Sequence, residues 1–228
     1  MSEPAPSDSA LIATQIVLCV LTINQGRLAV LATRNNAANA WGLPGGPAVG
    51  DVSCDDAAEE LLRLHEPQRH TTFLEQLRTY GPWSVPGDAP VLSVAYVALV
   101  AEFHAKSQPG WARVFALDDL AGSGFLPVEQ EHILADGVER VRAKFEYTTA
   151  ATSLVVEPFT IPELRRVYES VWGVALHPAN FRRKVLTTSG FVERVVSVDS
   201  DRGPELYRRG TALLLHPAML RPNETPAG

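Results

Sequence analysis

Thr160-Ile-Pro-Glu-Leu-Arg-Arg-Val-Tyr-Glu-Ser-Val-Trp-Gly173, continuing as Val-Ala-Leu-His-Pro178-Ala-Asn-Phe-Arg-Arg-Lys-Val-Leu-Thr-Thr-Ser-Gly190, is the stretch from which the rest of this 228-residue chain is read. Thr160 with Glu163 three residues later makes a capping box, and Pro162 falls in the first turn, so a helix starts here. It runs to about Trp172, where Gly173 stops it. After the short connection Val174 to Leu176, Pro178 opens a second helix that runs through Thr188 and stops at Gly190. Two helices joined by a short Gly-containing turn form a helix-turn-helix pattern. Phe191 to Val198, a turn at Asp199 to Pro204, and Glu205 to Gly210 then predict a hairpin with an exposed tip, the wing of a winged helix.

In the second helix Asn180, Arg183, Lys184 and Thr187 fall at i, i+3, i+4 and i+7 and share one face, whereas Phe181, Val185 and Thr188 face a core. Such a face suits a nucleic acid, because Lys and Arg neutralise phosphate while Asn and Arg can bond bidentately to base edges. Arg182 lies between the two faces, where backbone phosphate is its natural partner. Arg202 at the hairpin tip, and Arg208 and Arg209 on the returning strand, extend the positive surface. A basic triplet alone also fits a solvated helix face; the ordered set of capped helix, turn, basic helix and basic hairpin favours DNA.

Working outward toward the N-terminus, the pattern changes to mixed strands and helices. Thr14 to Ile23 and Arg27 to Thr33 predict two strands joined at Asn24-Gln-Gly26. Trp41-Gly-Leu-Pro-Gly-Gly46 forces tight backbone geometry. Ser53, Asp55 or Asp56 can cap a helix with the body Ala57 to His65. Strands follow at Phe73 to Tyr80, Val91 to Phe103 and Val114 to Leu117, then a helix from Val128 to Tyr147. This is an α/β arrangement with helices covering a sheet. The expected organisation is a disordered start (1–12), a first domain (13–150) and a second (151–228).

Charge supports that division. Residues 1–150 hold 10 Lys+Arg against 18 Asp+Glu, net −8, and residues 151–228 hold 10 against 8, net +2, which together give the overall −6. With 46% apolar and 20% charged residues and a mean hydropathy near zero, the composition is that of a soluble globular protein. The most apolar stretches are far shorter than the roughly 20 residues a bilayer requires. Met1 to Ala10 is Pro/Ser-rich and acidic, so neither a secretory nor a transit peptide is expected, and the cytoplasm is the expected compartment. Two cysteines, Cys19 and Cys54, are too few for a disulfide framework, and the six histidines show no ligand spacing, so no metal site is expected.

At Gly45-Gly46 and the helix after it the sequence resembles the Nudix family, whose box places Glu side chains on a helix to hold magnesium at a pyrophosphate. The resemblance is positional. Val52 stands where the family has its first Glu, Glu60-Leu61 and Leu64-His65 meet the Arg-Glu and Glu-Glu pairs, and Pro67 meets the closing Gly. Sliding the register by one residue recovers Asp51 and Glu60 but leaves Arg63 and Leu64 at the crucial pair. Leu cannot replace a carboxylate on magnesium, so no catalytic residues and no enzyme activity are expected.

A longer resemblance covers about residues 14–210. Leu74-Glu-Gln-Leu-Arg-Thr-Tyr-Gly81, Val94-Ala-Tyr-Val-Ala-Leu99, Arg142-Ala-Lys-Phe-Glu-Tyr-Thr148, Phe159-Thr-Ile-Pro-Glu-Leu164, Asn180-Phe-Arg-Arg-Lys184 and Gly203-Pro-Glu-Leu-Tyr207 look like the Nudix-related transcriptional regulators of NAD metabolism. The resemblance implies a Nudix-like α/β/α sandwich with a mixed sheet, fused to a winged helix-turn-helix domain. It further implies a homodimeric repressor that binds operator DNA of NAD biosynthesis or salvage genes, requires no cofactor, and takes ADP-ribose or a related NAD metabolite as effector. Arg34, Trp41 and Arg78 offer charge and stacking for such a nucleotide, and Arg142, Lys144 and Tyr147 sit at the domain junction. Each also fits a structural role. Two other readings stay open: an active ADP-ribose pyrophosphohydrolase with a C-terminal dimerisation module, and a non-enzymatic nucleotide-binding scaffold.

Overall fold

The computed structural model describes residues 12–35, 40–48, 50–66, 73–84, 89–103, 111–120, 123–195 and 203–222. Its centre is strand β1 (Ala13–Asn24). Ile16, Leu18 and Val20 point to one helical layer and Val17, Cys19 and Leu21 to the other, all buried. A strand covered on both faces needs apolar residues at every position, which explains the unbroken apolar run. β2 (Arg27–Asn35) returns antiparallel across Gln25 and Gly26, whose φ values of 51° and 75° give the turn its primed geometry.

The small strands β3 (Ala40–Gly42) and β4 (Gly45–Pro47) pair with β2 and β1 respectively. β5 (Phe73–Trp83) and β6 (Val91–Leu99) complete the other side, with β6 parallel to β1 from Ala13↔Val91 to Leu21↔Leu99 and antiparallel to β5. β7 (Ala112–Ala116) pairs with β2, so the seven-stranded mixed sheet has the central order β3-β2-β1-β6-β5. Several expected strand ends shift, and β5 runs on to Trp83 rather than stopping at Tyr80. β6 stops at Leu99 rather than Phe103, because its last partners, Leu21 and Phe73, are reached there. The strand expected over Val114 to Leu117 runs from Ala112 to Ala116, and Leu117 starts a short helix whose first-turn Asp118 and Asp119 pair with Arg27.

Helix α1 (Cys54–His65), capped by Ser53 accepting from the Asp56 amide, lays Ala58 and Leu62 on one face of the sheet. After α2 (Leu117–Leu120), α3 (Val128–Tyr147) covers the other face with Ile133, Val138, Val141 and Phe145. Gly137 is the point of closest approach: a Cβ there would lie 2.7 Å from the Cys19 sulfur.

A 3-10 helix (Thr149–Leu154), buried at every residue, carries the chain from α3 to α4 (Ile161–Trp172), α5 (Pro178–Thr187) and the hairpin β8 (Val192–Val195) and β9 (Leu206–Arg209). Residue 150 thus lies in a buried turn. The Tyr168 hydroxyl donates to Phe145 O at 3.0 Å, the Trp172 indole to Arg142 O at 3.3 Å, and Ser170 to Gly26 O at 2.7 Å. One apolar core runs from Val17 in the sheet to Tyr207 in the hairpin. Among the described residues the hairpin pairs from Val192↔Arg209 to Val195↔Leu206, and Arg202 at the expected tip lies outside them, as do residues 196–201. No described helix is long and apolar enough to cross a membrane.

Adding one methyl at the tightest contact tests this packing. Gly137→Ala should lower the free energy of unfolding by ~1–3 kcal/mol, because Cys19 sits on a buried strand and cannot retreat. A denaturant midpoint equal to that of the unchanged protein would contradict the contact.

Candidate functional site

Helix α4 is fixed at both ends. Thr160 Oγ1 accepts from the Glu163 amide at 3.3 Å, and the Glu163 carboxylate accepts from the Thr160 amide at 2.7 Å. Bonds donated by the Thr160 amide and hydroxyl to that carboxylate hold the Glu163 carboxyl below its ordinary pKa. Gly173 closes the helix at φ 70°, and Glu169 accepts from both Arg165 and the Leu176 amide at 2.9 Å, which sets the turn into α5. His177 caps α5, a role the sequence reading assigned to no residue.

On α5, Phe181, Val185 and Thr188 are buried, and Asn180, Arg183 and Thr187 are exposed on the opposite side as expected. Lys184 is half-buried, and that burial lowers its pKa. Thr187 donates back to Arg183 O at 2.9 Å. Among the described residues Arg183 has no ion-pair partner.

Other cations behave differently from the expectation. Arg182, expected to be free for phosphate, reaches across to Glu205 beside β9. Arg208 is exposed but paired with Glu193 at 2.9 Å. Arg209 turns inward: its side chain donates to Thr149 Oγ1 at 3.1 Å and its amide to Glu157. Strand alternation sends neighbouring side chains to opposite faces, so Arg208 and Arg209 cannot share one surface. Arg194 on β8, absent from the expected set, is exposed on the hairpin.

A cleft of about 540 Å³ opens where β2, β3, α1 and the start of α3 meet, lined among others by Gln15, Arg34, Trp41, Leu61, Leu64, His65, Trp111 and Gln130. Arg34 lies 5.9 Å from the Trp41 ring centroid, and Trp41 packs on Phe115 and Phe125. Gln130 accepts from the Leu43 amide at 2.6 Å and so ties α3 to the Gly-rich loop. His65 is buried edge-on to Trp111, and burial lowers its pKa. No carboxylate is among the described residues lining this cleft.

The other expected ligand residues are placed elsewhere. Arg78 on β5 pairs with Asp136, which also accepts from the Tyr80 hydroxyl. Lys144 pairs with Glu75 at 2.6 Å, holding α3 to the sheet. Arg142 does sit at the junction, donating to Val171 O at 2.9 Å, and the exposed Tyr147 accepts the Leu215 amide through its carbonyl. Of the six residues, only Arg34 and Trp41 share the cleft.

Residues 151–209 match the family model of the NrtR DNA-binding winged helix domain. The C-terminal unit is thus similar to the NrtR DNA-binding winged helix domain. The ADPR responsive transcriptional repressor NtrR of Acinetobacter baylyi is 25% identical over 201 residues, 84% of this chain and 79% of that protein. Shewanella oneidensis NrtR superposes with a TM-score of 0.71 at 23% identity over 86% of this chain and 94% of its own. Its complex with a 27mer DNA gives 0.68. A MutT/nudix family protein from Enterococcus faecalis gives 0.72 at 20% identity, covering 89% of this chain and 90% of that one. The fold is therefore a Nudix-like domain joined to a winged helix.

Two measurements test the local chemistry. Thr160→Ala should cost ~1 kcal/mol of stability through the lost cap, read by thermal unfolding; no change would contradict the capping geometry. His65 has an ordinary pKa of 6.5 that burial lowers. The unfolded chain therefore takes up the proton first, so stability from the neutral ring is present above 6.5 and lost as pH falls below it. His65→Gln should flatten that part of the stability profile between about pH 7 and 5.

Proposed function

We propose that this chain is a homodimeric DNA-binding transcriptional repressor of NAD biosynthesis or salvage genes that works in the cytoplasm, with residues 13–150 sensing ADP-ribose or a related NAD metabolite and residues 151–228 holding the operator. The observation that carries this reading is the exposed Arg183 on the solvent face of α5, which has no ion-pair partner among the described residues, in a winged helix similar to the DNA-binding domain of NrtR. With Asn180 beside it, that face offers both base-edge donors and charge. A dimer would set two such helices into successive major grooves ~34–36 Å apart. The Acinetobacter relative is by name an ADPR-responsive repressor, which favours the same effector here.

The cleft chemistry supports a nucleotide diphosphate that is bound rather than hydrolysed. Arg34 supplies a cation for phosphate, Trp41 and Trp111 offer ring faces, and Gln15 and Gln130 offer amides. Where a Nudix hydrolase needs carboxylates for magnesium, α1 presents Leu61, Leu64 and His65. Among the described residues no three of His, Cys, Asp or Glu form a metal cluster. The donor set does not fit magnesium, so binding without turnover is the reading the residues favour.

A mobility-shift titration on duplexes from the chain's own genomic neighbourhood, with and without ADP-ribose, tests DNA, regulator and ligand together. Arg183→Ala should weaken operator binding by ~1–3 kcal/mol if it reads a base. Unchanged affinity would remove it from the interface. Trp41→Ala should weaken ADP-ribose binding by ~1–3 kcal/mol if the ring stacks on a base or sugar, as calorimetry would show. Magnesium-dependent release of AMP from ADP-ribose would overturn the non-hydrolytic reading.

A further inference from the structure

We propose that Glu205 is an electrostatic brake on DNA binding, a carboxylate built into the wing that neutralises two phosphate-directed arginines and so sets the affinity of the surface for duplex. The proposal rests on the DNA-binding reading above. Glu205 Oε2 accepts from Arg182 of α5 at 2.5 Å, and its Oε1 lies 3.5 Å from Arg194 of β8. One carboxylate thus bridges the recognition helix and the hairpin.

Its position is not that of a loose surface acid. The Tyr207 hydroxyl donates to the same Oε2 at 3.1 Å, and Tyr207 is only 4% exposed. Tyr207 is in turn locked to Phe159 by two backbone bonds of 2.8 and 2.7 Å, next to the start of α4. The anchor therefore belongs to the core of the winged helix, while the charges it controls face solvent, with side-chain exposures of 47% for Arg182 and 59% for Arg194. A pair this exposed adds little to stability. Glu193 pairs with a single arginine, Arg208, on the same hairpin at 2.9 Å.

Duplex affinity that ignores sequence comes from cations that displace counterions from phosphate, and each neutralised phosphate adds about 0.9 to the slope of log K against log salt. A guanidinium already shared with Glu205 contributes less of that term. Such a limit has a use in a regulator: typical couplings between an effector and a second ligand change affinity only about 5- to 150-fold. A surface that held phosphate too tightly would not be cleared by a change of that size.

The test compares the full chain with Glu205→Gln on a random-sequence duplex and on the upstream duplex over a series of salt concentrations. The brake predicts about 10-fold tighter binding of random duplex at about 50 mM salt, and a salt slope steeper by about one to two. It also predicts that Arg182→Gln costs more affinity in the Glu205→Gln background than alone. An equal cost in both backgrounds, or a Glu205→Gln protein with the original affinity and slope or weaker binding, overturns the brake. Failure of the unchanged chain to shift either duplex overturns the DNA reading itself. Near-identical melting temperatures, expected for a surface pair, keep the comparison free of folding effects.

Discussion

The approach of α3 to β1 at Gly137 is the constraint on which the rest of the architecture depends. Only a residue without a side chain lets the helix axis come this near the central strand, where the Cys19 thiol is buried deeply enough to push its pKa up to about 12. That seating brings Ile133, Val141 and Phe145 onto Val17, Cys19 and Leu21. It also fixes the direction in which the last turns of α3 leave the sheet. Those turns receive the Tyr168 hydroxyl on Phe145 O and exchange bonds between Arg142 and α4 through Val171 O and the Trp172 indole. The winged helix is therefore placed by the same helix that closes the sandwich.

Much of this was legible in the sequence because the deciding features were local. The Thr160–Glu163 capping box, Gly173 and the 3.6-residue spacing of Phe181 and Val185 depend on neighbours within a turn, and the structure has them as read. The apolar, β-branched character of Ile16 to Ile23 marks a buried strand. Tertiary partners were not legible. Nothing near Arg182 in the sequence pointed to Glu205, 23 residues away, and nothing near Lys144 pointed to Glu75 across the sheet. The same limit separated Arg78 from Arg34 and Trp41: all three lie at strand positions, but only the pairing of β2 with β3 puts Arg34 opposite Trp41.

The basic face also came out smaller than a count of charges suggests. Residue type alone credits every Arg of the hairpin to one surface, yet alternation along β9 turns Arg209 inward and Glu193 holds Arg208. The net +2 of residues 151–228 is thus a poor measure of the field that a partner meets. What matters is which guanidiniums keep their donors free, and that depends on carboxylates brought close by folding.

In the proposed reading, a ligand in the cleft must favour one arrangement of the winged helix over another, since equal affinity for both would shift nothing. Helix α3 is the shared element with a contact at each end. Gln130 in its first turn touches the Gly-rich loop at the cleft, and Arg142 grips α4 about 18 Å further along, taking ~1.5 Å per residue. A Cβ on Gly42 would stand 2.9 Å from Gln130 Oε1, so the loop and the helix start are already in tight contact. A ligand that moved this loop would press on the end of a rigid helix whose middle is held at Gly137. The displacement would then be a tilt about that point rather than a slide, and α4 lies on the far side of the pivot, where Arg142 and Phe145 hold it.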